Sequence, residues 1–212
     1  MDKMICSKLI HMKCLKKFLL PIILGLIVAC TNPLNQPTAE LDSNIEMHRF
    51  QDSTLDESGW YYAASTNGNF SLYMPIPFND YTQTVDDYQT YGIASTSFEG
   101  ISFTVLQSKN LKPGPIDLKA LVSKLGTPAQ PVSDVKYYSY DNYEAVNFKQ
   151  KSFKSAAYMK YAVYGPNLYM MIIEFPYGQE ELVVSMKDGF FDFLEIEDSI
   201  NNATTIPELM LE

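Results

Sequence analysis

The sequence has few of the residues that most enzymes and metal sites use. Its two histidines are His11 and His48, and its three cysteines are Cys6, Cys14 and Cys30. After residue 30 the chain cannot form an internal disulfide or a Cys–His pair, and a multi-histidine metal site is excluded. His48 lies in a polar stretch ahead of the predicted domain, which leaves that domain without a Ser–His–Asp arrangement. We therefore predict no catalytic site, no metal ion and no cofactor, and the sequence has no phosphate-binding glycine-rich motif.

Positive charge is scarce beyond the first 29 residues. The chain has 16 basic and 25 acidic residues; without the five Lys and one Asp of residues 1–29, 11 and 24 remain, a net charge of −13. Such a surface repels phosphates, so a nucleic-acid partner is not expected. The acids at 86–87 and 192–198 lack the spacing of a calcium-binding loop, and we interpret them as solvated surface groups.

The chain also lacks an apolar run long enough to cross a membrane. Its longest run, residues 18–28, has about eleven residues, whereas a transmembrane helix needs roughly 20. Lys13, Lys16 and Lys17 precede this run, so residues 1–29 have the basic flank and short apolar core of a secretory signal. Met12 is the better start for such a signal and is the candidate first residue.

The signal ends in Ile27, Val28, Ala29 and Cys30, which resembles a bacterial lipobox. The resemblance implies cleavage before Cys30, a diacylglycerol on its thiol and an acylated amine, and two or more acyl chains give a stable membrane anchor. Thr31 follows, where an Asp would favour retention in the inner membrane. The expected location is the periplasmic face of the outer membrane, if the cell is Gram-negative. The alternatives are a plain secreted protein, or a short buried helix with an incidental cysteine.

The remaining chain divides by composition. Residues 30–58 are polar, contain Pro33 and Pro37 and show no hydrophobic period, so they are predicted to form a flexible tether. Residues 59–200 have the size and pattern of one globular domain. Residues 201–212 are interpreted as a frayed tail.

The domain pattern predicts an α+β fold, an antiparallel sheet with two main helices packed against it. One helix is predicted at 118–125 with Asp117 as its N-cap. Another is predicted at 179–194, and its buried face should consist of Leu182, Val183, Met186, Phe190, Phe193 and Leu194. Residues 168–175 are apolar on both faces and should be the most central strand, whereas 79–88 are interpreted as a polar loop. The other predicted strands are 60–62, 70–74, 91–98, 101–106, 135–140, 143–152 and 156–164.

Three motifs in this domain resemble the PsbP-like fold, which includes bacterial lipoproteins and Mog-type Ran-binding proteins. They are GNFSLYMP at 68–75, NLYMMIIEFP at 167–176 and GFFDF at 189–193. Members of this family mostly bind or assist other proteins. The resemblance therefore implies a binding role and supplies no catalytic residue.

Tyrosine is the residue type that stands out. All fifteen tyrosines lie between Tyr61 and Tyr177, and four cluster around one turn: Tyr137, Tyr138, Tyr140 and Tyr143. Because strand residues alternate in direction, Tyr138 and Tyr140 should share one face and Tyr137 the other. We hypothesise that these rings bind a partner, since Tyr is enriched at interfaces; the alternative is that they cover a neighbouring strand.

Together these features predict a lipid-anchored binding or accessory protein of the cell envelope, without catalytic activity, held in the membrane through lipidated Cys30 and partnered by an envelope protein. One alternative is a small-molecule or lipid-binding envelope protein. Another is an envelope hydrolase that uses paired carboxylates, which so many acidic residues leave open.

Overall fold

The computed structural model describes residues 45–57, 59–85, 88–95, 97–109 and 115–197. Two helices are present in these ranges, α1 (Leu118–Leu125) and α2 (Glu180–Asp192). The strands are β1 (Ile45–Asp52), β2 (Tyr61–Ala64), β3 (Phe70–Met74), β4 (Phe78–Val85), β5 (Tyr88–Ser95), β6 (Ser102–Lys109), β7 (Val132–Ser139), β8 (Glu144–Lys151), β9 (Ser155–Tyr164), β10 (Asn167–Pro176) and β11 (Glu195–Ile196). Neither described helix has the length and hydropathy needed to cross a membrane.

Eight of the strands form one antiparallel sheet in the order β1-β4-β5-β6-β10-β9-β8-β7. Strands β7, β8, β9 and β10 form the predicted meander, because only short turns separate them. β10 lies near the middle of the sheet between β6 and β9, which confirms the prediction drawn from its apolar residues on both faces. A second sheet of three short strands, β11-β3-β2, is separate from the first.

Both faces of the large sheet are covered. On one face Val146, Phe148 and Met159 pack against Leu118, Val122 and Leu125 of α1. The other face packs against α2 and the small sheet, and its buried residues include Phe103, Met171, Ile173, Phe190, Phe70 and Leu72. The fold is thus a sheet-dominated α+β structure. The prediction of a single sheet with two helices packed against it is corrected. A second, three-stranded sheet packs together with α2 on one face of the large sheet.

Lys160 is a charged residue of β9 that is buried in the sheet. Its side chain is buried on the α2 side of the sheet, and its Nζ donates a hydrogen bond of 2.8 Å to the carbonyl oxygen of Phe191. That carbonyl belongs to the last turn of α2, where a cation is favourable. Burial lowers the pKa of Lys160, and Asp192 opposes the shift.

The helices follow local sequence signals. Asp117 caps α1 as predicted, since its side chain accepts a hydrogen bond of 3.0 Å from the amide of Ala120. α2 ends at Asp192, and its buried residues are Val183, Phe190 and Phe191. The predicted Leu182 and Phe193 are about half exposed.

Two predictions about the N-terminal half are wrong. Ile45–Asp52 is strand β1, although residues 30–58 were predicted to form the tether, and residues 79–85, predicted as a loop, belong to β4. The two strands pair with each other, so their backbone hydrogen bonds are satisfied without an apolar side-chain pattern. The predicted signal, lipidation site and tail, and residues 30–44 of the tether, lie outside the described residues.

An ion pair fastens β1 to the body of the protein. Arg49 Nε lies 3.3 Å from Oδ2 of the fully buried Asp80 on β4, and Arg49 Nη1 lies 3.2 Å from Asp52 Oδ2. Arg49 Nη2 also donates to the carbonyl oxygen of Ala64, and the amide of Thr66 donates 3.0 Å to Asp80 Oδ2. A guanidinium can bond several oxygens at once. Arg49 therefore links β1 to β4 and to the chain at Ala64.

Candidate functional site

Of the predicted tyrosines, Tyr137 and Tyr138 lie on β7, and Tyr140 and Tyr143 lie in the turn that joins β7 to β8. β7 is an edge strand of the large sheet and pairs only with β8. The turn is closed by a hydrogen bond of 2.9 Å from the amide of Tyr140 to the carbonyl oxygen of Tyr143. Residues that lie opposite each other on the two arms of such a hairpin present their side chains on the same face.

Three of the four rings form one stack, which we call the tyrosine ladder: Tyr138, Tyr140 and Tyr143. The ring centroids of Tyr138 and Tyr140 are 6.3 Å apart at an interplanar angle of 20°, and those of Tyr140 and Tyr143 are 4.3 Å apart at 17°. Tyr138 is 38% exposed and Tyr140 is 46% exposed, whereas Tyr143 is half-buried against the core. In the ladder, the rings of Tyr138 and Tyr140 are therefore exposed to solvent, and the Tyr143 ring packs against the core.

Tyr143 is the ring that ties the ladder to the domain. Burial raises the pKa of its phenol, and Tyr140 and the carboxylate of Asp192 add to the shift. The phenol thus stays protonated and remains a hydrogen-bond donor at neutral pH. A stack of aromatic rings is well suited to packing against a protein surface.

Tyr137 does not join the other three. It is 45% exposed on the opposite face of β7, where Lys119 Nζ of α1 lies 5.6 Å from its ring centroid. The structure thus separates the predicted set into a ladder of three rings and a single ring beside a lysine. The two faces can be tested independently, because one strand carries both.

The register of β7 is broken by a bulge. Its pairing with β8 shifts between Ser133 and Lys136, and Asp134 has a φ of +55°. Bulges and lysines protect an edge strand from pairing with other chains. The ladder lies beyond the bulge, where Tyr137, Tyr138 and Ser139 pair regularly with β8.

A second polar site lies at the opposite edge of the sheet, around His48. This histidine is on β1, within the folded domain. The prediction that His48 lies ahead of the domain is therefore wrong. His48 Nε2 lies 2.8 Å from Thr82 Oγ1, and Asn67 Nδ2 lies 3.1 Å from each of these atoms. Glu46 Oε1 is 3.8 Å from His48 Nδ1, which is too far for a hydrogen bond. Among the residues that the structure describes, none therefore orients this imidazole through a carboxylate as in a catalytic triad.

The His48 site borders a groove of about 570 Å³ whose lining is mostly polar. Sequence reasoning missed the groove because it interpreted β1 and β4 as unstructured. A usable signal was present: β-favouring Tyr and Thr residues alternate on both sides of Asp86-Asp87, as in a hairpin. Its position above β1, β4 and β5, however, depends on a pairing that no local pattern specifies.

Another charged cluster joins α2 to the sheet. The ammonium of Lys149 donates to Glu180 Oε1 at the start of α2, and the hydroxyl of Tyr158 donates to the same oxygen. These hydrogen bonds, first from Lys149 and then from Tyr158, hold the pKa of Glu180 below its usual value. Lys149 and Lys187 also lie 5.3 Å and 5.2 Å from the ring centroid of Tyr158. The hydrogen bonds to Glu180 link α2 to β8 and β9, so the cluster positions the helix.

Within the described ranges, no group of three or more His, Cys, Asp or Glu side chains could hold a metal ion. Cys30, the predicted lipidation site, lies outside them.

Comparisons with known proteins show a likeness in fold to a solved structure. No protein-family profile matches the sequence, and no curated protein sequence matches it. The solution structure of cyanobacterial PsbP (CyanoP) from Synechocystis sp. PCC 6803 is similar to this chain, with a TM-score of 0.44 and 9% sequence identity over 78% of this chain and 99% of that one. That neighbour is a PsbP protein, the family that the three sequence motifs resemble.

Proposed function

We propose that this protein is a lipid-anchored, non-enzymatic binding or accessory protein of the cell envelope, with a PsbP-like domain that holds a protein partner at the tyrosine ladder. The observation that carries the proposal is the ladder itself. Tyr138 at the end of the edge strand β7 and Tyr140 in the turn that follows stack at an interplanar angle of 20° and stay well exposed. The core gains little from rings in this position.

Tyrosine suits such a role for physical reasons. Each ring offers a large apolar area and a polar hydroxyl, and few rotatable bonds are frozen on binding. Stacking on Tyr143 fixes the ladder before a partner arrives. Preorganisation of this kind reduces the entropic cost of association.

The anchor is supported by the lipobox resemblance at Cys30. We expect Cys30→Ser to abolish labelling by a fatty-acid analogue and to block signal removal by the lipoprotein peptidase. Both are read from one gel of metabolically labelled cells. Labelling that persists in Cys30→Ser would remove the membrane part of the proposal.

The partner is tested by replacing Tyr138 and Tyr140 together with Ser. We expect crosslinked complexes in intact envelopes to disappear, while the unfolding temperature changes little. Tyr137→Ser is the matched control, because it removes an equally exposed ring from the other face of the same strand and should leave the complexes intact. A large loss of stability in the double variant would instead assign the rings to the core, and complexes that persist would place the partner elsewhere.

A further inference from the structure

The groove at the β1 edge has a regular construction. In the ladder of hydrogen-bonded strands, Glu46 on β1 pairs with Thr82 on β4, and Thr82 pairs with Tyr91 on β5. Thr84 and Gln89 form the next row between β4 and β5. Side chains at paired positions lie on the same face about 5 Å apart. All five residues line the groove, and Asn67 and Ile45 complete it.

The lining is rich in neutral hydrogen-bonding groups with one aromatic ring. Asn67 uses its Nδ2 to bond His48 and Thr82, so its Oδ1 is left to accept from a ligand. Gln89 uses its Oε1 to accept a hydrogen bond of 3.1 Å from the Tyr91 hydroxyl, so its Nε2 is left to donate. Each side-chain amide can thus serve a ligand while its other end is held in place.

The charges around the groove argue against other ligand classes. Among the described lining residues only Glu46 is charged, and it is mostly exposed. The nearby guanidinium of Arg49 is occupied by Asp80 and Asp52, so none of the described lining residues would neutralise a phosphate. A lipid tail would leave the amides and hydroxyls without partners, which is costly for buried polar groups.

We propose that this groove binds a short uncharged oligosaccharide. A sugar ring presents hydroxyls around its rim, which alternate as donors and acceptors, and a C–H face that can pack on the apolar face of an aromatic ring. Tyr91 supplies that ring, Asn67 and Gln89 bond hydroxyls, and Glu46 accepts from one more. The volume of about 570 Å³ lies in the range of small-molecule sites.

His48 acts here as a positioning residue. Its hydrogen bond to Thr82 and its contact with Asn67 fix the β2–β3 turn over the groove. It stands at an irregularity in β1, since the register with β4 shifts between Met47 and Arg49. The proposal does not depend on the tyrosine ladder, which lies at the other edge of the sheet.

The test uses the full-length protein in a sugar-free detergent, titrated with cellobiose, maltose and N,N′-diacetylchitobiose by calorimetry. At least one disaccharide should bind with one-to-one stoichiometry. Gln89→Ala and Glu46→Ala, both at exposed side chains, should each weaken binding about threefold to tenfold, because each removes one hydrogen bond. Glu181→Gln, at an exposed position of α2, is the control and should bind like the parent protein. A preference for the acetylated sugar would identify an amino-sugar glycan as the ligand class.

Three results would overturn the proposal. No heat of binding from any of the three sugars to the folded parent protein would exclude a glycan site. Undiminished binding in both Gln89→Ala and Glu46→Ala would place a sugar site elsewhere. Tighter binding of glucose 1-phosphate than of cellobiose would contradict the charge argument. Amide chemical shifts of Thr82 and Thr84 during the titration report on the groove directly and separate a local effect from unfolding.

Discussion

The large sheet ends in two edge strands that are built in opposite ways. β1 carries polar and charged side chains, and Arg49 ties it to β4 and to the chain around Ala64. β7 has only exposed residues after Val132, and it is held by its pairing with β8 and by stacked tyrosines. One edge is therefore fastened by an ion-pair network between distant parts of the sequence. The other is held mainly by its hairpin partner, with Val132 packed against the α1 cluster and Tyr137 beside Lys119 of α1.

The difference shows how a protein can leave one edge available for binding. An edge strand must be protected from pairing with other chains. At β1 the Arg49 network and the bulge near His48 serve this purpose, and a polar groove forms beside them. At β7 the bulge at Asp134 protects only the start of the strand. Its end is free to present aromatic side chains.

The change that should break both edges at once is Phe190→Ala in α2. Phe190 is fully buried, and its ring packs edge-on against Phe103 of β6 with the centroids 5.2 Å apart. Removing a buried Phe leaves a cavity and costs about 3 to 5 kcal/mol. Chemical denaturation should show this loss, and amides of β1 and β7 should exchange faster together. Leu182→Ala, at a half-exposed position of the same helix, is the control and should cost far less.

Arg49→Ala should break the β1 edge alone. It leaves the buried carboxylate of Asp80 without its cation, and Asp80 Oδ1 already lacks a hydrogen-bond partner among the described residues. Loss of hydrogen bonds to a buried charge costs about 2 to 3 kcal/mol. Hydrogen exchange should accelerate in β1 while β7 stays protected.

Arg49→Lys sharpens the same test. Lysine keeps the charge, but its ammonium cannot match the planar fork that bonds Asp80, Asp52 and Ala64 together. We expect an intermediate loss of stability. Equal exchange at both edges in either variant would contradict the view that the edges are fastened independently.

Acid should loosen the β7 half of the sheet through Glu180. Its pKa is lowered in the folded protein by hydrogen bonds from Lys149 and Tyr158. The stabilisation is therefore present above the ordinary value of 4.5 and is lost as the pH falls through the lower folded pKa. Because Glu180 is about half exposed, the effect should be smaller than that of Arg49→Ala. Glu180→Gln should lower stability at neutral pH and flatten its decline in acid.

The acid response should differ between the edges. The pKa of Asp52 at the β1 edge is also lowered, first by a hydrogen bond from the amide of Thr54. Glu180→Gln should therefore keep the part of the acid response that belongs to Asp52, and Glu181→Gln, at the neighbouring exposed position, should leave the full response. Denaturation curves measured across the acid range decide this. An unchanged acid limb in Glu180→Gln would show that the Lys149 contact has no energetic weight.

Features set by neighbouring residues could be predicted from the sequence. The Asp117 cap and apolar stripe of α1, and the meander from β7 to β10, depend on short spacings. β1 could not be predicted in this way, because the Arg49–Asp80 pair joins residues 31 positions apart. Strand alternation predicts that Tyr138 and Tyr140 share one face of the hairpin. The half-burial of Tyr143, however, depends on packing against residues that are distant in the sequence. The groove needs the register of three strands at once.

The smallest expected effect is a gain in stability that leaves both edges unchanged. Gly189 lies inside α2, where glycine costs up to about 1 kcal/mol relative to alanine. A Cβ built there would lie 3.7 Å from Phe193 Cε2 and 3.7 Å from Trp60 Cη2, which is ordinary van der Waals contact. Alanine therefore fits without displacing a neighbour.

Gly189→Ala should raise the free energy of unfolding by about 0.5 to 1 kcal/mol, since it also reduces the conformational freedom of the unfolded chain. The gain is measured by denaturation and should add to the loss caused by Arg49→Ala, because the two sites share no contact. Exchange rates of β1 relative to β7 should keep their ratio. A loss of stability would mean that α2 cannot accept the methyl group beside Trp60. A non-additive double variant would mean that α2 couples to the β1 edge, and the two edges would then no longer be independent.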